Sequence, residues 1–449
     1  MYDRAVESLY ALGAELLDVP GKPRRKWELA HMRTLCAALG DPQCAFPAVL
    51  IAGTNGKGST AATLAAIVQA AGCRTALYTS PHLVEVTERI RVNGAEIAQD
   101  DFARLYFHVD DTAQRLVGEG ALPHPPSFFE VMTALAFCFF AEQQVEMAVL
   151  EVGLGGRLDA TNIVEPLLSI ITDISLDHTE YLGNTITEIA REKAGILREH
   201  GTLVTLPQHP EANQALGERA VALEVTGVNA AEYMPVRGTE DAAALPGNRY
   251  PLLVMGEAIT LDSPLAGPHQ QRTLALAVAA AVTLAGRGFR ITPQTIADGV
   301  RCTRWPGRLQ RITHGGANFL LDAAHNPAAA WALRSALAQL PEGQPRTLIF
   351  SCLRDKALAE MAQILFPLFD GAQDKVLIPP IPTPRAAAVD EMMTAAHSLG
   401  TDAVECSSVK DAIRRARALT PADGLIVVAG SIYLVGAVSA VFNEEGMPS

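Results

Sequence analysis

Short runs of apolar, mostly β-branched residues alternate with helical segments along almost the whole chain of 449 residues. Runs of this length and composition predict buried strands. They occupy residues 48–53, 145–152, 168–173, 317–322, 347–353, 375–379 and 424–429. Helical patterns, such as those at 59–71 and 409–419, connect them. Strands that alternate with helices are typical of an α/β fold with a mostly parallel sheet.

This alternation changes in two places. Residues 207–270 are more polar and have weaker strand patterns, which predicts a peripheral region. The stretch "RCTRWPGR" (301–308) is an Arg-rich segment with a Pro-Gly break, which predicts a linker. We therefore predict a larger domain over residues 1–302, with a mostly parallel sheet and flanking helices. A smaller, Rossmann-like α/β domain is predicted over residues 303–449.

Composition excludes several classes of protein. With 49% hydrophobic and 19% charged residues, the chain should be globular. A formal net charge of -13 argues against a non-specific nucleic-acid binder. The seven cysteines are scattered and form no CxxC pair, so neither a disulfide framework nor a zinc site is predicted. The N-terminus does not have the pattern of a signal peptide. The longest apolar stretch (273–286) is short and alanine-rich, which predicts a buried helix and a cytoplasmic protein without membrane contacts.

The stretch "AVLIAGTNGKGSTAATLAAI" (48–67) predicts a phosphate-binding loop of unusual spacing. Gly53 stands two residues before Gly56-Lys57, and Gly58 separates Lys57 from the hydroxyl residues. Glycine backbone amides and a helix N-terminus bind anions, and the lysine adds a full charge. The alternative is a tight turn with a solvated lysine. We predict nucleotide phosphate binding by Gly53, Thr54, Asn55, Gly56, Lys57, Gly58, Ser59 and Thr60, which makes the larger domain a P-loop-type domain.

Other stretches carry a family resemblance when taken together with this loop. They are "YTSPHL" (78–83), "FFE" (128–130), "LEVGLGGRLDATN" (150–162), "DHTEYLG" (177–183), "REKAGI" (191–196), "PGR" (306–308) and "LDAAHNP" (321–327). In order and spacing they resemble the folylpolyglutamate synthase/dihydrofolate synthase family of the Mur ligase superfamily, over most of the chain. "SFFE" and "RLDA" are similar to the bifunctional bacterial enzymes. The phosphate loop alone would not separate this family from other Mur-like ligases.

The resemblance implies catalytic roles for Lys57, His178 and Lys193. It also implies two magnesium sites, with ligands from Ser80, Glu151, His178 and, if its amine is carbamylated, Lys193. From the residues themselves, a carboxylate at the end of an apolar strand is either a magnesium ligand or a helix cap. His178 by itself is an ordinary loop histidine. Lys193, on a predicted helix (188–197), is by itself a solvated lysine.

Two segments have both a structural and a functional interpretation. "VGLGGRLDATN" is either a surface loop with an internal Arg157–Asp159 salt bridge or a substrate loop, since close backbone approach needs glycine. The resemblance implies pterin contacts by Leu158, Asp159 and Ala160, with Ser127, Phe128, Phe129 and Glu130 as the opposite wall. The two phenylalanines are equally compatible with a core position at the start of a helix.

In the second domain the resemblance implies ATP contacts by Arg308 and Asp322 and a substrate contact by His325. An aspartate at that position is alternatively a helix cap. Closure of this domain over ATP would expel water. Two departures from the family pattern affect binding. Thr273 replaces an asparagine aimed at the adenine, and Lys26 in "RKWELAHM" (25–32) replaces an acid in the stretch that holds pteroate or folate.

The implied reaction is ATP-dependent amide formation. ATP phosphorylates a carboxylate, and the amine of L-glutamate attacks the acyl phosphate, with Lys57 and two magnesium ions neutralising charge. The implied substrates are dihydropteroate and the γ-carboxyl group of reduced folates, and we expect the enzyme to be a monomer. Alternatives are a folylpolyglutamate synthase with that single activity, and a Mur-type ligase for a UDP-linked cell-wall precursor. A P-loop switch or motor ATPase belongs to another class, and Gly58 argues against it.

Overall fold

The structure is a computed structural model that describes residues 1–13, 28–236, 247–341, 343–371 and 374–446. It divides into two compact units. The first comprises Met1–Met234, Pro251–Thr260 and Arg272–Thr303, and the second Pro235–Tyr250, Leu261–Gln271 and Arg304–Ser449. The two units are therefore interleaved along the sequence. The single domain boundary predicted between residues 302 and 303 remains a proposal.

The first unit is built on an eight-stranded sheet. Its strands are β1 (Ala48–Ala52), β2 (Thr75–Tyr78), β3 (Ile90–Val92), β4 (Ala95–Glu96), β5 (Met147–Glu151), β6 (Pro166–Ile171), β7 (Thr202–Thr205) and β8 (Thr226–Asn229). Their order is β4-β3-β2-β5-β1-β6-β7-β8. In this spatial order, every neighbouring pair between β2 and β8 is parallel. The strand β3 pairs antiparallel with β2, and β4 pairs antiparallel with β3. Every residue of β1 is buried, as the unbroken apolar run predicted.

Ten helices accompany this sheet in the described residues. They are α1 (Tyr2–Gly13), α2 (Leu29–Ala38), α3 (Lys57–Ala70), α4 (Gln99–Gly118), α5 (Phe128–Glu142), α6 (Thr179–Leu182), α7 (Ile186–Lys193), α8 (Pro210–Ala222), α9 (His269–Ala285) and α10 (Pro293–Cys302). The first residues of α9 belong to the second unit. A hairpin of β9 (Asn248–Val254) and β10 (Glu257–Ser263) forms a sheet of its own. The centre of α9 is buried, which confirms the predicted apolar helix. Over the described ranges, no helix is long and apolar enough to cross a membrane.

The second unit contains a six-stranded sheet. Its strands are β11 (Gln310–His314), β12 (Ala317–Leu321), β13 (Arg346–Phe350), β14 (Lys375–Ile378), β15 (Ala403–Glu405) and β16 (Leu425–Ala429), in the order β11-β12-β16-β13-β14-β15. Only β11 is antiparallel to its neighbour. The helices are α11 (Pro327–Leu337), α12 (Leu358–Leu365), α13 (Val389–Ser398), α14 (Val409–Leu419) and α15 (Ile432–Glu444). Since crossovers between parallel strands are right-handed, this strand order places α11, α12 and α13 on one face and α14 on the other, where α15 packs against it.

The two parallel-dominated sheets confirm the predicted α/β class, with small shifts at the ends of elements. The helix after the phosphate loop begins at Lys57 rather than Ser59. The helix predicted over 188–197 ends at Lys193, and a 3-10 turn (Ala194–Ile196) follows it. That early end places Lys193 at the boundary between helix and loop.

Candidate nucleotide and substrate site

The phosphate loop joins β1 to α3 and depends on glycine at two positions. Gly53 has a φ of +154°, and a Cβ there would lie 1.8 Å from Oγ1 of Thr172. Gly56 has a φ of +84°, and a Cβ there would lie 2.9 Å from Cγ2 of Thr273. Thr273, the predicted adenine contact, therefore packs directly over the loop. The backbone approaches its neighbours too closely for any side chain, as a phosphate-binding loop requires.

The loop is hydrogen-bonded to the segment that follows β6. The backbone N–H groups of Thr54 and Asn55 donate to the carbonyl of Asp173 at 2.8 and 3.2 Å. The Thr54 hydroxyl donates to the carbonyl of Ser175 at 3.0 Å. Arg272 in turn donates from Nε to the Asp173 carboxylate at 2.9 Å. Neither Asp173 nor Arg272 was predicted from the sequence, in which the only signal was the acid Asp173 at a strand end. They fix the position of the loop.

Two lysines from distant motifs converge on this loop. Lys57 donates from Nζ to the carbonyl of Thr54 at 3.2 Å. Lys193, the last residue of α7, is 3% exposed and donates to the carbonyl of Gly53 at 2.7 Å. Burial, together with the charge of Lys57, lowers the pKa of Lys193 to about 7. The solvated lysine that residue type alone favours is therefore wrong. Near neutral pH a large fraction of this amine is uncharged and nucleophilic.

A buried carboxylate lies at the end of β5. Glu151 is 4% exposed, and the backbone N–H of Ser80 donates to its Oε2 at 3.1 Å. His178 precedes α6 in a left-handed conformation, with a φ of +49°. Within the described ranges no group of three or more His, Cys, Asp or Glu side chains could hold a metal ion. Magnesium, however, needs only one or two protein carboxylates beside phosphate oxygens and water. The environment of Glu151 therefore fits a nucleotide-linked magnesium ion.

Asp159 organises the predicted substrate loop. Its Oδ2 accepts hydrogen bonds from the backbone N–H groups of Gly153 and Leu154, both at 2.9 Å. Its Oδ1 accepts from the backbone N–H and hydroxyl of Thr161, at 3.0 and 2.6 Å. Burial raises the pKa of this carboxyl, and these bonds oppose that shift. Since a carboxylate has about four lone-pair sites, the loop itself uses them. Pterin contacts by Asp159 and by its neighbours Leu158 and Ala160 remain predictions.

The substrate loop is joined to the helix that carries the buried lysine. Arg157 donates from its backbone N–H to the carbonyl of Glu192 at 2.9 Å, and from Nη2 to the Glu192 carboxylate at 2.9 Å. The internal Arg157–Asp159 salt bridge, one of two interpretations of this loop, is therefore wrong. The amide of Asn162 donates to the carbonyl of Gly195 at 3.1 Å, just beyond α7. The loop and the end of α7 form one connected structure.

The predicted opposite wall begins α5. The backbone N–H and hydroxyl of Ser127 donate to Oε2 of Glu130 at 2.8 and 2.7 Å, and Glu130 N–H donates back to the hydroxyl at 3.3 Å. This is a capping box, with the S-x-x-E signature typical of a helix start. Phe129 lies on the substrate loop, because a Cβ at Gly153 would be 2.5 Å from its ring. Ser127 and Glu130 thus set the helix start, and Phe128 and Phe129 are partly buried and pack against the hydrophobic core of the first unit.

In the second unit, Asp322 follows β12. Its Oδ2 accepts from the backbone N–H of Leu309 and its Oδ1 from that of Ala324, both at 2.9 Å. The cap of α11 is Asn326, whose Oδ1 accepts from the N–H of Ala329 at 2.9 Å. The alternative that Asp322 is a helix cap is therefore wrong. It holds the segment before β11 against the end of β12.

A crevice is expected at the carboxyl ends of β12 and β16, since the helices that follow these strands leave to opposite faces of the sheet. His325 lies there and donates from Nδ1 to the carbonyl of Ala323 at 2.9 Å. Ser431 follows β16, is buried, and caps α15. Arg308 donates from Nη1 to its neighbouring carbonyl of Gly307, which itself accepts from the N–H of Ala323. The predicted second-domain residues therefore lie around one sheet edge. Lys26 lies outside the described residues.

Comparison with known proteins defines the class. Residues 51–281 match the Mur ligase middle domain, and residues 307–432 match the glutamate ligase domain of Mur ligases. The dihydrofolate synthase/folylpolyglutamate synthase of Bacillus subtilis is 32% identical, over 91% of this chain and 93% of that protein. The chain belongs to the dihydrofolate synthase/folylpolyglutamate synthase family of ATP-dependent Mur ligases, which confirms the family predicted from the motifs.

Two further relatives agree. A probable bifunctional folylpolyglutamate synthase/dihydropteroate synthase of Halobacterium salinarum is 36% identical over 89% of this chain, although the chain spans only 48% of that protein. The crystal structure of Mycobacterium tuberculosis folylpolyglutamate synthase complexed with ADP and AMPPCP superimposes with a TM-score of 0.86, at 31% identity over 99% of both chains. The nucleotides bound in that structure agree with the predicted use of ATP.

Proposed function

We propose that the protein joins L-glutamate to dihydropteroate and to the γ-carboxyl group of reduced folates, at the expense of ATP. The observation that carries this proposal is the convergence of Lys57 and Lys193 on adjacent carbonyls of the phosphate loop. The helix that holds Lys193 is bonded to the loop assigned to the pterin, so the nucleotide and acceptor sites share one framework. The double name of the Bacillus subtilis relative supports the two activities.

The first step transfers the γ-phosphoryl group. The loop amides beyond Asn55 and the first turn of α3 hold the triphosphate, and the ammonium group of Lys57 neutralises charge on the transferred group. A carboxylate oxygen of the acceptor forms a bond to the γ-phosphorus as the bond to the β-phosphate oxygen breaks. The products are an acyl phosphate and ADP. Positioning and electrostatics account for this step, without a covalent enzyme intermediate.

The second step forms the amide. The neutral amine of L-glutamate attacks the acyl carbon, the bond from carbon to the phosphate oxygen breaks, and the phosphate leaves with the amine proton. We place L-glutamate in the crevice near His325 and Ser431, which is supported by the glutamate ligase match over residues 307–432. Arg308, Asp322 and Thr273 are proposed as nucleotide contacts.

Glu151 and Ser80 would hold magnesium together with phosphate oxygens, with His178 as a further ligand. The ion would supply charge neutralisation at the phosphoryl group. The neutral amine of Lys193 can attack carbon dioxide and lose a proton, which gives a carbamate. This modification would convert Lys193 into an anionic ligand for a second ion. We also propose that the enzyme is a cytoplasmic monomer with these small molecules as its partners, without nucleic acid or membrane.

An assay of ADP release tests the proposal. With ATP and L-glutamate, we expect ADP only when dihydropteroate or tetrahydrofolate is added, and product masses increased by one glutamyl residue. ADP release with tetrahydrofolate but not with dihydropteroate would indicate that the enzyme has folylpolyglutamate synthase activity only. Release at the same rate with ATP alone would contradict the ligase mechanism, and glutamate-independent activity on a UDP-linked precursor would point to another Mur-type reaction.

A further inference from the structure

An aromatic and cationic cluster surrounds Phe128, the first residue of α5. It adds Tyr10 from α1, and His82 and Arg89 from the segment between β2 and β3. The Tyr10 ring stacks on Phe128, with centroids 5.9 Å apart and planes inclined by 21°. The guanidinium carbon of Arg89 lies 5.1 Å from the Phe128 centroid, which is a cation–π contact. Side chains from two other segments therefore hold this ring.

Hydrogen bonds connect three side chains of the cluster in series. Arg89 donates from Nε to Nδ1 of His82 at 2.9 Å, so the imidazole proton is on Nε2. That nitrogen lies 3.1 Å from the Tyr10 hydroxyl oxygen and donates to it. The buried Arg89 thus orients His82, and His82 orients Tyr10. The Tyr10 ring is held at both ends, by its hydroxyl and by its stacking on Phe128.

Through its own chain segments the cluster is connected both to a residue assigned to phosphate chemistry and to the loop assigned to the pterin. Ser80 of the segment between β2 and β3 donates to Glu151. Phe129 of α5 lies on Gly153 of the substrate loop. A pteroate consists of a pterin joined by a short link to an aminobenzoyl ring, whose carboxylate is the group to be phosphorylated. The second ring must therefore bind between the pterin and the phosphate loop.

We propose that Tyr10, stacked on Phe128, binds the aminobenzoyl ring of the substrate, and that His82 and Arg89 are positioning residues that hold the two aromatic side chains. The ligand class is a flat aryl carboxylate attached to a pterin. Tyr10 is 46% exposed, so its ring has surface for such a ligand. The inference rests on the proposed function, because it divides the acceptor of that reaction into two separately bound rings.

The test compares a ligand that has the second ring with one that lacks it. Dissociation constants of 7,8-dihydropteroate and of 6-hydroxymethyl-7,8-dihydropterin are measured by calorimetry. For Tyr10→Ala we expect about a tenfold increase for dihydropteroate, with the hydroxymethyl compound unchanged. Tyr10→Phe keeps the ring but loses the bond to His82, so we expect a loss of only about threefold for dihydropteroate. His82→Ala should give a smaller loss in the same direction, about threefold. Tyr2→Phe is the matched control, since Tyr2 lies on the same helix as Tyr10 and the change removes its hydroxyl bond to Glu85.

The outcomes separate this inference from the proposed function. A wild-type protein that binds neither compound would contradict the proposed function itself. If the wild type binds both, equal losses of the two ligands in Tyr10→Ala, or no loss of either, would overturn the aminobenzoyl subsite. Circular dichroism melting of each variant identifies a change that comes from unfolding, and Tyr10→Phe distinguishes the ring from the hydroxyl.

Discussion

Gly53 is the residue at which side-chain size decides whether the phosphate loop can form. A methyl group there would overlap Oγ1 of Thr172, and the φ of +154° is unfavourable for alanine. We expect Gly53→Ala to lower the free energy of unfolding by about 1–3 kcal/mol and to abolish ADP release. Urea denaturation and the ADP assay measure both. Gly118→Ala is the control, because nothing lies within 4 Å of its added Cβ. Equal stability of the two variants would contradict this account of the loop.

The amine of Lys193 should titrate far below other lysines. Its pKa is lowered from 10.5 to about 7, so the amine is neutral above pH 7 in the folded protein. Acetic anhydride reacts with neutral amines, so labelling in carbon dioxide-free buffer should increase with a midpoint near pH 7. Lys410, whose pKa is raised by Glu444, is the internal control in the same peptide map. A midpoint for Lys193 near that of Lys410 would be inconsistent with its burial.

The lowered pKa of Lys193 affects both the pH dependence of folding stability and the modification of this amine. Between pH 7 and 10.5 the unfolded chain binds a proton at Lys193 that the folded chain does not, so this group makes folding more favourable as pH rises through that window. Added bicarbonate should protect Lys193 from acetic anhydride if its amine is carbamylated. Unchanged labelling with bicarbonate would contradict carbamylation in the free enzyme.

The position of a site residue could be predicted from sequence only where the motif itself fixes it. Lys57, in a glycine-rich turn before a helix, and Glu151, an acid at a strand end, lie where these patterns place them, and their roles remain proposals. The burial of Lys193 was not predictable from its helix pattern, since it depends on contact with Gly53, far away in sequence. The bonding of Asp159 within its own loop likewise depends on backbone conformation rather than on residue type.

At the scale of elements, the substrate loop and α7 act as one unit through close backbone contact. A Cβ at Gly156 would lie 2.9 Å from the carbonyl oxygen of Glu192 and 3.0 Å from that of Lys193. Gly156→Ala should therefore displace the end of α7, lower the free energy of unfolding by about 1–3 kcal/mol, and reduce ADP release with either acceptor. Urea denaturation and the ADP assay again provide the measurements.

The control for this change is Gly217→Ala, within α8, where a Cβ meets nothing within 4 Å. In a helix interior that substitution should raise stability by about 0.5–1 kcal/mol. Full activity of Gly156→Ala at wild-type stability would show that the backbone contact between the loop and α7 is not needed.

Strands were predictable where apolar runs are continuous, as in β1 and β16, because burial on both faces leaves a local signal. The edge strands β3 and β4 and the hairpin of β9 and β10 were not, since they are short or alternate with exposed residues. The observed helix ends differ from the predicted ones by a few residues, as at the start of α3 (Lys57) and the end of α7 (Lys193), because apolar periodicity does not locate the terminal residues of a helix.

At the scale of the whole molecule, the compact units do not follow the single boundary expected from the linker. Segments before residue 303 belong to the second unit because of contacts that no local pattern records. Asn248 makes two such contacts, because its side-chain amide donates to the carbonyls of Leu265 and Gly267 at 2.8 and 2.9 Å. A Cβ at Gly267 would in turn lie 2.6 Å from Leu309, which joins this segment to the core of the second unit.

Asn248→Ala should therefore destabilise the second unit although it lies before the predicted boundary. Two buried carbonyls would lose their donor, at a cost of about 1–3 kcal/mol. Trp305 and Trp331 belong to that unit, so their fluorescence during urea denaturation, in a Trp27→Phe background, reports its unfolding. Asn213→Ala, which removes a similar amide–carbonyl bond in the first unit, should leave the transition unchanged. An unchanged midpoint for Asn248→Ala would instead favour the division at residues 302 and 303, because the second domain would then not depend on the earlier segment.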